Sequence, residues 1–222
     1  VRVADVLERI GAGDRRAALG DVAGGLGGDH HLVPPRDVEG VEGAHGVGLA
    51  VDGDIAVVTS LSTGVQVYSL AVPGSPQPMG PRFTPLAAAN GVAVRWPYAY
   101  LAESGRLEIV DLSPALLAEA PDSIGSTTLI GNGNEVALSG DYALVGDSAN
   151  CVDIVRIADP ANPVVVGNFL TTGYVPAVGA RGAYGYAVTL SAPQAFSVIS
   201  LANPLQPQAA ATLSLSLGAS QV

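Results

Sequence analysis

The chain is 222 residues long, with 48% hydrophobic and 14% charged residues, 28 glycines, 16 prolines and one cysteine. The charged fraction lies well below the usual ~25%, and this length and composition exclude a disordered tail and a disulfide scaffold. Twenty acids against ten bases, all of them arginine, give a net charge of −10, which would repel a phosphate backbone and so disfavours nucleic-acid binding.

The chain begins with a strand pattern and an insertion. Residues 1–6 match the pattern of the third strand in the repeat described below, so we interpret residues 1–45 as the third strand of a partial blade followed by a Gly-, His- and acid-rich insertion. All three histidines, His30, His31 and His45, lie in this insertion. Imidazoles among carboxylates can bind zinc, but no H-x-H or H-E-x-x-H spacing occurs. A solvated acidic loop is therefore favoured over a metal site.

Three strand patterns recur in a fixed order through the rest of the chain. The first is a short apolar segment, and the second begins in three repeats with a tyrosine, at Tyr98, Tyr142 and Tyr184. The third is apolar-x-apolar-apolar-x-apolar, and a weaker fourth strand follows a proline-containing turn such as 159–163. In chain order, the first strands are predicted at 46–50, 91–94, 135–138 and 177–180, the second at 54–58, 98–102, 142–145 and 184–188, and the third at 65–70, 107–112, 152–157 and 196–201.

The period of these patterns predicts the fold. Equivalent valines at positions 47, 92, 136 and 178 are separated by about 44 residues. Four short strands in a tandem repeat of this length are typical of a β-propeller blade, whereas a helical solenoid would show a period near 3.6. We predict an all-β fold, a β-propeller of four-stranded blades. Its parts are a partial blade with the insertion at 1–45, blades at 46–90, 91–134, 135–176 and 177–215, and the start of a further blade at 216–222.

Both ends of the array carry partial repeats. Propellers usually protect their sheet edges by closing a ring, and this array would leave apolar blade faces exposed at both ends. We therefore expect the chain to be an excerpt of a larger ring, with flanking blades of the same longer chain against its outer faces. No apolar run approaches the ~20 residues of a membrane-spanning helix.

One repeat carries all the motifs on which a family resemblance rests. These are Gly-Asp-Tyr-Ala-Leu-Val at 140–145, Val-Asp-Ile-Val at 152–155 and Asp-Pro-Ala-Asn-Pro at 159–163. With them the chain resembles the LVIVD-repeat family over about residues 46–222, plus 1–6. The resemblance implies a bacterial or archaeal propeller that is secreted or exposed at the cell surface, and the expected location is extracellular, at the cell surface or periplasmic. It implies no shared catalytic motif, so no catalytic, cofactor-binding or metal-binding residue is predicted from it.

A few individual residues invite a chemical interpretation. Cys151 lies in a strand pattern and is predicted to be a buried structural thiol. Glu103 and Asp147 each follow a second strand, and we favour acids that solvate a turn over paired carboxylates facing the channel. The equivalent tyrosines are expected to pack between blades. Asp52-Gly53-Asp54 is predicted to be a hairpin turn, because the calcium-loop pattern is missing.

The sequence leaves two functional hypotheses. No G-x-S-x-G motif and no histidine outside the insertion occur, so a Ser-His-Asp site in the repeats is excluded. We favour a non-enzymatic, exported module that binds protein or glycan, with no cofactor. The alternative is a hydrolase or lyase with its site at the mouth of the central channel, which rests on fold analogy alone. Three or more converging polar groups with perturbed pKa values would favour the enzyme.

Overall fold

The structure, a computed structural model, describes residues 46–61, 63–190 and 194–215. The chain divides into two compact units, Val1–Gly43 and Ala44–Val222, and all described residues belong to the second. The predicted partial blade and insertion at 1–45, with His30, His31 and His45, and the predicted further blade at 216–222 lie outside the described residues. No helix of the described chain is long and apolar enough to span a membrane.

The described residues form four antiparallel sheets of four strands, and chain neighbours are hydrogen-bonded neighbours within each sheet. This confirms the predicted all-β fold of four-stranded propeller blades. The only helix among them is a short 3-10 turn, Ser113–Leu117. Blade 1 comprises β1 Gly46–Asp52, β2 Ile55–Ser60, β3 Gly64–Ser69 and β4 Gln77–Phe83. Blade 2 comprises β5 Ala89–Arg95, β6 Tyr98–Glu103, β7 Arg106–Asp111 and β8 Asp122–Thr128, and blade 3 comprises β9 Gly133–Ser139, β10 Tyr142–Asp147, β11 Cys151–Arg156 and β12 Val164–Leu170. Blade 4 comprises β13 Ala177–Arg181, β14 Tyr184–Thr189, β15 Ala195–Ser200 and β16 Gln208–Ser214.

Two-residue turns join the first and second strands of every blade. In three blades the turn begins with a glycine at positive φ, namely Gly53 (58°), Gly140 (52°) and Gly182 (58°). Tight hairpins require this left-handed backbone, which glycine adopts without steric cost. The predicted hairpin at Asp52-Gly53-Asp54 is confirmed. Blade 2 uses a cis Trp96–Pro97 peptide at the same place.

The first strands lie side by side, with β1 next to β5, β5 next to β9 and β9 next to β13. The middle blades are buried on both faces, and five consecutive residues are buried in both β10 and β11. In β14 and β15 buried residues instead alternate with half-buried or exposed ones. The hydrophobic cores therefore lie between blades. Between blades 2 and 3 the core includes Tyr100, Leu107, Ile109, Leu129, Val136, Val145 and Val155, and between blades 3 and 4 it includes Leu144, Val152, Ile154, Val175 and Ile199.

The three repeat tyrosines occupy equivalent places, since each begins the second strand of its blade. Tyr98 packs against the core between blades 2 and 3, and Tyr142 packs against the core between blades 3 and 4. The predicted aromatic packing between blades is confirmed for both. Tyr184 differs because its side chain is 46% exposed.

In blades 1 to 3, a turn of the following blade packs directly against a glycine in the fourth strand. A Cβ atom on Gly125 would lie 2.2 Å from the carbonyl oxygen of Pro160, and one on Gly167 would lie 2.2 Å from that of Pro204. A Cβ atom on the equivalent Gly80 would lie 2.5 Å from the backbone oxygen of Glu119. The proline-containing turns were predicted as strand ends, and the structure adds that they pack directly on the preceding blade's fourth strand.

Hydrogen bonds also link consecutive blades at the ends of the first strands. The Arg95 guanidinium donates to the carbonyl oxygen of Gly140 at 2.7 Å, and the Ser139 hydroxyl donates to that of Gly182. The Trp96 amide donates to the Asp52 carboxylate at 2.8 Å. Each bond spans 43 to 45 residues of sequence, so the contacts between blades follow the repeat.

Candidate functional site

Glu103 and Asp147 are completely buried at the ends of β6 and β10. Asp147 does accept a turn N–H, that of Ala149, as predicted, but the prediction is wrong for Glu103 and neither acid faces solvent. Each instead lies beside a second buried acid on the third strand of its own blade, Glu108 and Asp153 respectively. The reason is the sheet register, because Leu101 opposes Glu108 and Val145 opposes Asp153. Alternate residues of a strand point to one face, so the two acids of a blade lie on the same face of its sheet. That face is covered by the segment that leads into the first strand of the same blade.

Asp147 and Asp153 bind the backbone that connects blade 2 to blade 3. An oxygen of Asp147 accepts the Gly131 N–H at 2.7 Å, and an oxygen of Asp153 accepts the Ile130 N–H at 3.3 Å. The Asn168 amide also donates to Asp153, and the Ala149 N–H donates to Asp147 at 2.7 Å. Buried carboxylates are tolerated where several N–H groups satisfy their oxygens, so this pair fixes the connection in place.

Cys151 completes this buried cluster. Its thiol donates to Asp147 Oδ1 at 3.3 Å and lies 3.7 Å from Asp153 Oδ1. Ligand atoms of the three side chains lie within 4.8 Å of one another, the only such group of three or more potential metal ligands in the described part of the chain. Metal binding would require a thiolate, whereas the carboxylates already accept N–H donors. This geometry fits a hydrogen-bonded anchor, and the prediction that the chain has no metal site stays a prediction.

We expect Cys151 to be unreactive in the folded protein. Its predicted burial is confirmed, and that burial, together with the carboxylates of Asp153 and Asp147, raises the pKa of the thiol. Labelling with a disulfide reagent at pH 8 should be at least about 100-fold slower in buffer than in denaturing urea, because only opening exposes the thiol. Equal labelling rates in the two conditions would show that the cluster is open.

Glu103 and Glu108 form a less well satisfied pair in blade 2. Glu108 Oε2 accepts the Leu86 N–H at 2.9 Å, but both oxygens of Glu103 and Oε1 of Glu108 make no hydrogen bond of ordinary geometry. Burial, followed by the neighbouring Glu108 carboxyl, raises the pKa of Glu103 to about 9. Two carboxylates this close cannot both ionise without a large cost, so Glu103 is protonated at neutral pH.

A polar cleft opens at the end of the blades where the first strands begin. Its volume is about 580 Å³, within the roughly 300–1,000 Å³ common for ligand sites. Residues of blades 2 and 3 and of the segment that leads into blade 4 form the walls of the cleft. The lining residues are Asn90, Ser104, Asn132, Asn134, Glu135, Ser148, Tyr174 and Pro176.

Two asparagines of the cleft are held at equivalent places by the next blade. The Asn90 amide donates to the Gly133 carbonyl at 2.7 Å, and the Asn134 amide donates to the Val175 carbonyl at 3.0 Å. Each bond orients the side chain and uses one of its two N–H groups, so the amide oxygen and second N–H remain to meet a ligand. The Ser148 hydroxyl accepts the Asn132 N–H at 2.9 Å, which fixes the loop at the rim.

Glu135 is the one carboxylate among the residues that line the cleft. Partial burial raises its pKa, and the hydrogen bond that its carboxylate accepts from the Val136 N–H partly opposes this. The sequence did not identify the cleft, because its residues come from separate repeats. The sequence did contain one sign of the cleft, because Asn90 and Asn134 are 44 residues apart, one repeat length. Several polar groups converge in the cleft, as the enzyme hypothesis requires, but Glu135 is the one acid among them.

Comparisons with known proteins agree with the fold. A family model described as the LVIVD repeat matches residues 88–118 and 130–171, which confirms the predicted resemblance. A crystal structure of the computationally designed Ika8 protein is similar at a TM-score of 0.59 and 11% identity, covering 74% of this chain and 48% of that chain. The chain thus spans about half the length of Ika8. The designed Ika4 protein is similar at a TM-score of 0.59 and 9% identity, covering 72% and 92%. No curated protein matches the chain.

Proposed function

We propose that this chain, which carries LVIVD repeats at residues 88–118 and 130–171, is a non-enzymatic, exported module that binds protein or glycan at the cell surface. The observation that carries the proposal is the polar cleft, since it is assembled from neighbouring blades and open to solvent. Export is supported by the resemblance of the chain to a family of secreted and surface-exposed propellers. Rigid scaffolds that present ligand-binding groups on loops are common among binding proteins.

The cleft supports binding better than hydrolysis. Glycoside hydrolysis ordinarily uses two carboxyl groups on either side of the scissile bond, and Glu135 is the one carboxylate among the lining residues. The buried acids Glu103, Asp147 and Asp153 are not among those residues. The alternative, a hydrolase or lyase, is favoured by the polar groups that converge in the cleft and by the raised pKa of Glu135. Loss of turnover on Glu135→Gln, with binding retained, would establish that alternative.

Site-directed photo-cross-linking tests the proposal. A photoreactive residue at Asn132, at the rim of the cleft, should give adducts when the full-length chain is present on intact source cells, and protease treatment of those cells should remove the chain. The same residue at Gln206 should give none, because this exposed side chain lies in a turn of blade 4 at the opposite end of the strands. Recovery of the chain from the cytoplasm, or equal adducts at both positions, would overturn the proposal.

A further inference from the structure

The chemical groups of the cleft narrow the class of ligand it can hold. Three amides, two hydroxyls and one carboxylate line it together with a single tyrosine and a single proline. Protein–protein interfaces need a desolvated core of apolar and aromatic side chains, and this lining offers little apolar area. A ligand that presents many hydroxyl groups would find donors and acceptors on every side.

The charge of the cleft points to an uncharged ligand. None of the ten arginines lies among the lining residues, and the chain carries a net charge of −10. An anionic ligand would approach a negative protein and meet no cation there. Glu135 can accept hydroxyl hydrogen bonds, which are strong when the acceptor is ionised.

Tyr174 provides a surface for a flat, partly apolar group. Its side chain is 37% exposed, and its carbonyl oxygen accepts the Leu190 N–H at 3.1 Å, which fixes the backbone of this residue. A tyrosine combines an apolar ring with a polar hydroxyl, and the C–H face of a pyranose ring has the same dual character. The oriented amides of Asn90 and Asn134 then lie in the same cleft to bind the ring hydroxyls.

We propose that this cleft binds a neutral oligosaccharide, with the Tyr174 ring against one sugar and the amides of Asn90, Asn132 and Asn134 on the hydroxyls. This inference rests on the proposed function, because it names the ligand class of the same cleft. Ordering of the two repeat asparagines by the following blade lowers the entropy lost on binding. The ligand is bound without covalent change.

The test uses a fixed panel of neutral tetrasaccharides: maltotetraose, cellotetraose, xylotetraose, mannotetraose and N-acetylchitotetraose. Saturation-transfer NMR on the intact chain should give saturable binding to at least one, with a dissociation constant of about 1 mM or tighter. Tyr174→Ala and Asn132→Ala should each weaken that binding at least about tenfold. Tyr184→Ala is the matched control, because Tyr184 is an exposed tyrosine at the other end of the strands, and it should leave binding unchanged. Tetragalacturonate should bind at least about tenfold more weakly.

Each outcome decides between the claims. No saturable binding across the panel, or binding that both cleft variants leave unchanged, would overturn the saccharide proposal. If a protein nevertheless cross-links at position 132, the proposed binding function stands and its ligand is a protein. If shortened saccharides accumulate, the ligand class stands and the non-enzymatic function fails.

Discussion

Gly167→Ala is expected to lower the free energy of unfolding by about 3 kcal/mol. The added methyl group would lie 2.2 Å from the carbonyl oxygen of Pro204, and backbone atoms cannot move aside as a flexible side chain can. Overpacking of this kind forces shifts that cost roughly 1–3 kcal/mol and occasionally more. Equilibrium unfolding in urea, followed by circular dichroism, measures the change. Gly125→Ala should behave alike, since its Cβ would lie 2.2 Å from the Pro160 oxygen.

Gly179→Ala is the matched control for this prediction. Gly179 also lies within a strand, β13, but its Cβ would meet nothing closer than the Tyr186 Cβ at 4.0 Å. Alanine should be neutral or slightly stabilising there, because glycine loses more backbone entropy on folding. Equal losses at Gly179 and Gly167 would contradict the close contact between the fourth strand and the next blade's turn.

Glu103→Gln is expected to stabilise the protein at pH 8 and to leave its stability at pH 4 nearly unchanged. The pKa of Glu103 is raised from 4.5 to about 9 in the folded state, so the folded chain retains a proton that the unfolded chain releases above pH 4.5. Stability therefore falls as the pH rises from about 4.5 to 9. Glutamine is neutral throughout and removes this loss. Each pKa unit corresponds to about 1.4 kcal/mol, so the gain at pH 8 should be on the order of a few kcal/mol.

The pH dependence has a second contributor and a simple control. Burial raises the pKa of Asp153 to about 6, so this group adds a smaller loss of stability between about pH 4 and 6, which should persist in the Glu103→Gln variant. Glu119→Gln makes the same change in net charge at an exposed site and should leave the pH profile unchanged. Unfolding free energies from pH 4 to 9 compare the three chains. An unaltered slope in Glu103→Gln would show that the Glu103 carboxyl is ionised in the folded state.

The fold was predictable because the residues that define the repeat act locally, by favouring a strand or a tight turn at their own positions. Valine-rich segments favour strands, and the glycines at 53, 140 and 182 mark tight hairpins, so the period of about 44 residues follows from the sequence. The contacts that join blades were not predictable in the same way. The space at Gly125 and Gly167 is filled by turns of the next blade, and a sequence does not state which distant atoms occupy the space that a glycine leaves.

The buried acids show why the site was harder to predict than the fold. An acid after a strand ordinarily meets solvent, but Glu103 and Asp147 are covered by the chain that enters their own blades. A periodic signal existed, because the equivalent positions hold polar residues in every blade. These are Ser60, Glu103, Asp147 and Thr189 on the second strands, and Gln66, Glu108, Asp153 and Ser197 on the third. Polar residues that recur at these two places inside otherwise apolar strands were the sign, present in the sequence, that the acids are buried rather than exposed to solvent.

The measurement that tests mutual support between blades most directly uses Trp96, the only tryptophan of the chain. Trp96 lies in blade 2, whereas Gly167→Ala alters the contact between blades 3 and 4. If each blade is stabilised by its neighbours, this substitution should lower the urea midpoint of Trp96 fluorescence together with that of circular dichroism. An unchanged Trp96 midpoint, with an early partial loss of circular dichroism, would contradict the account.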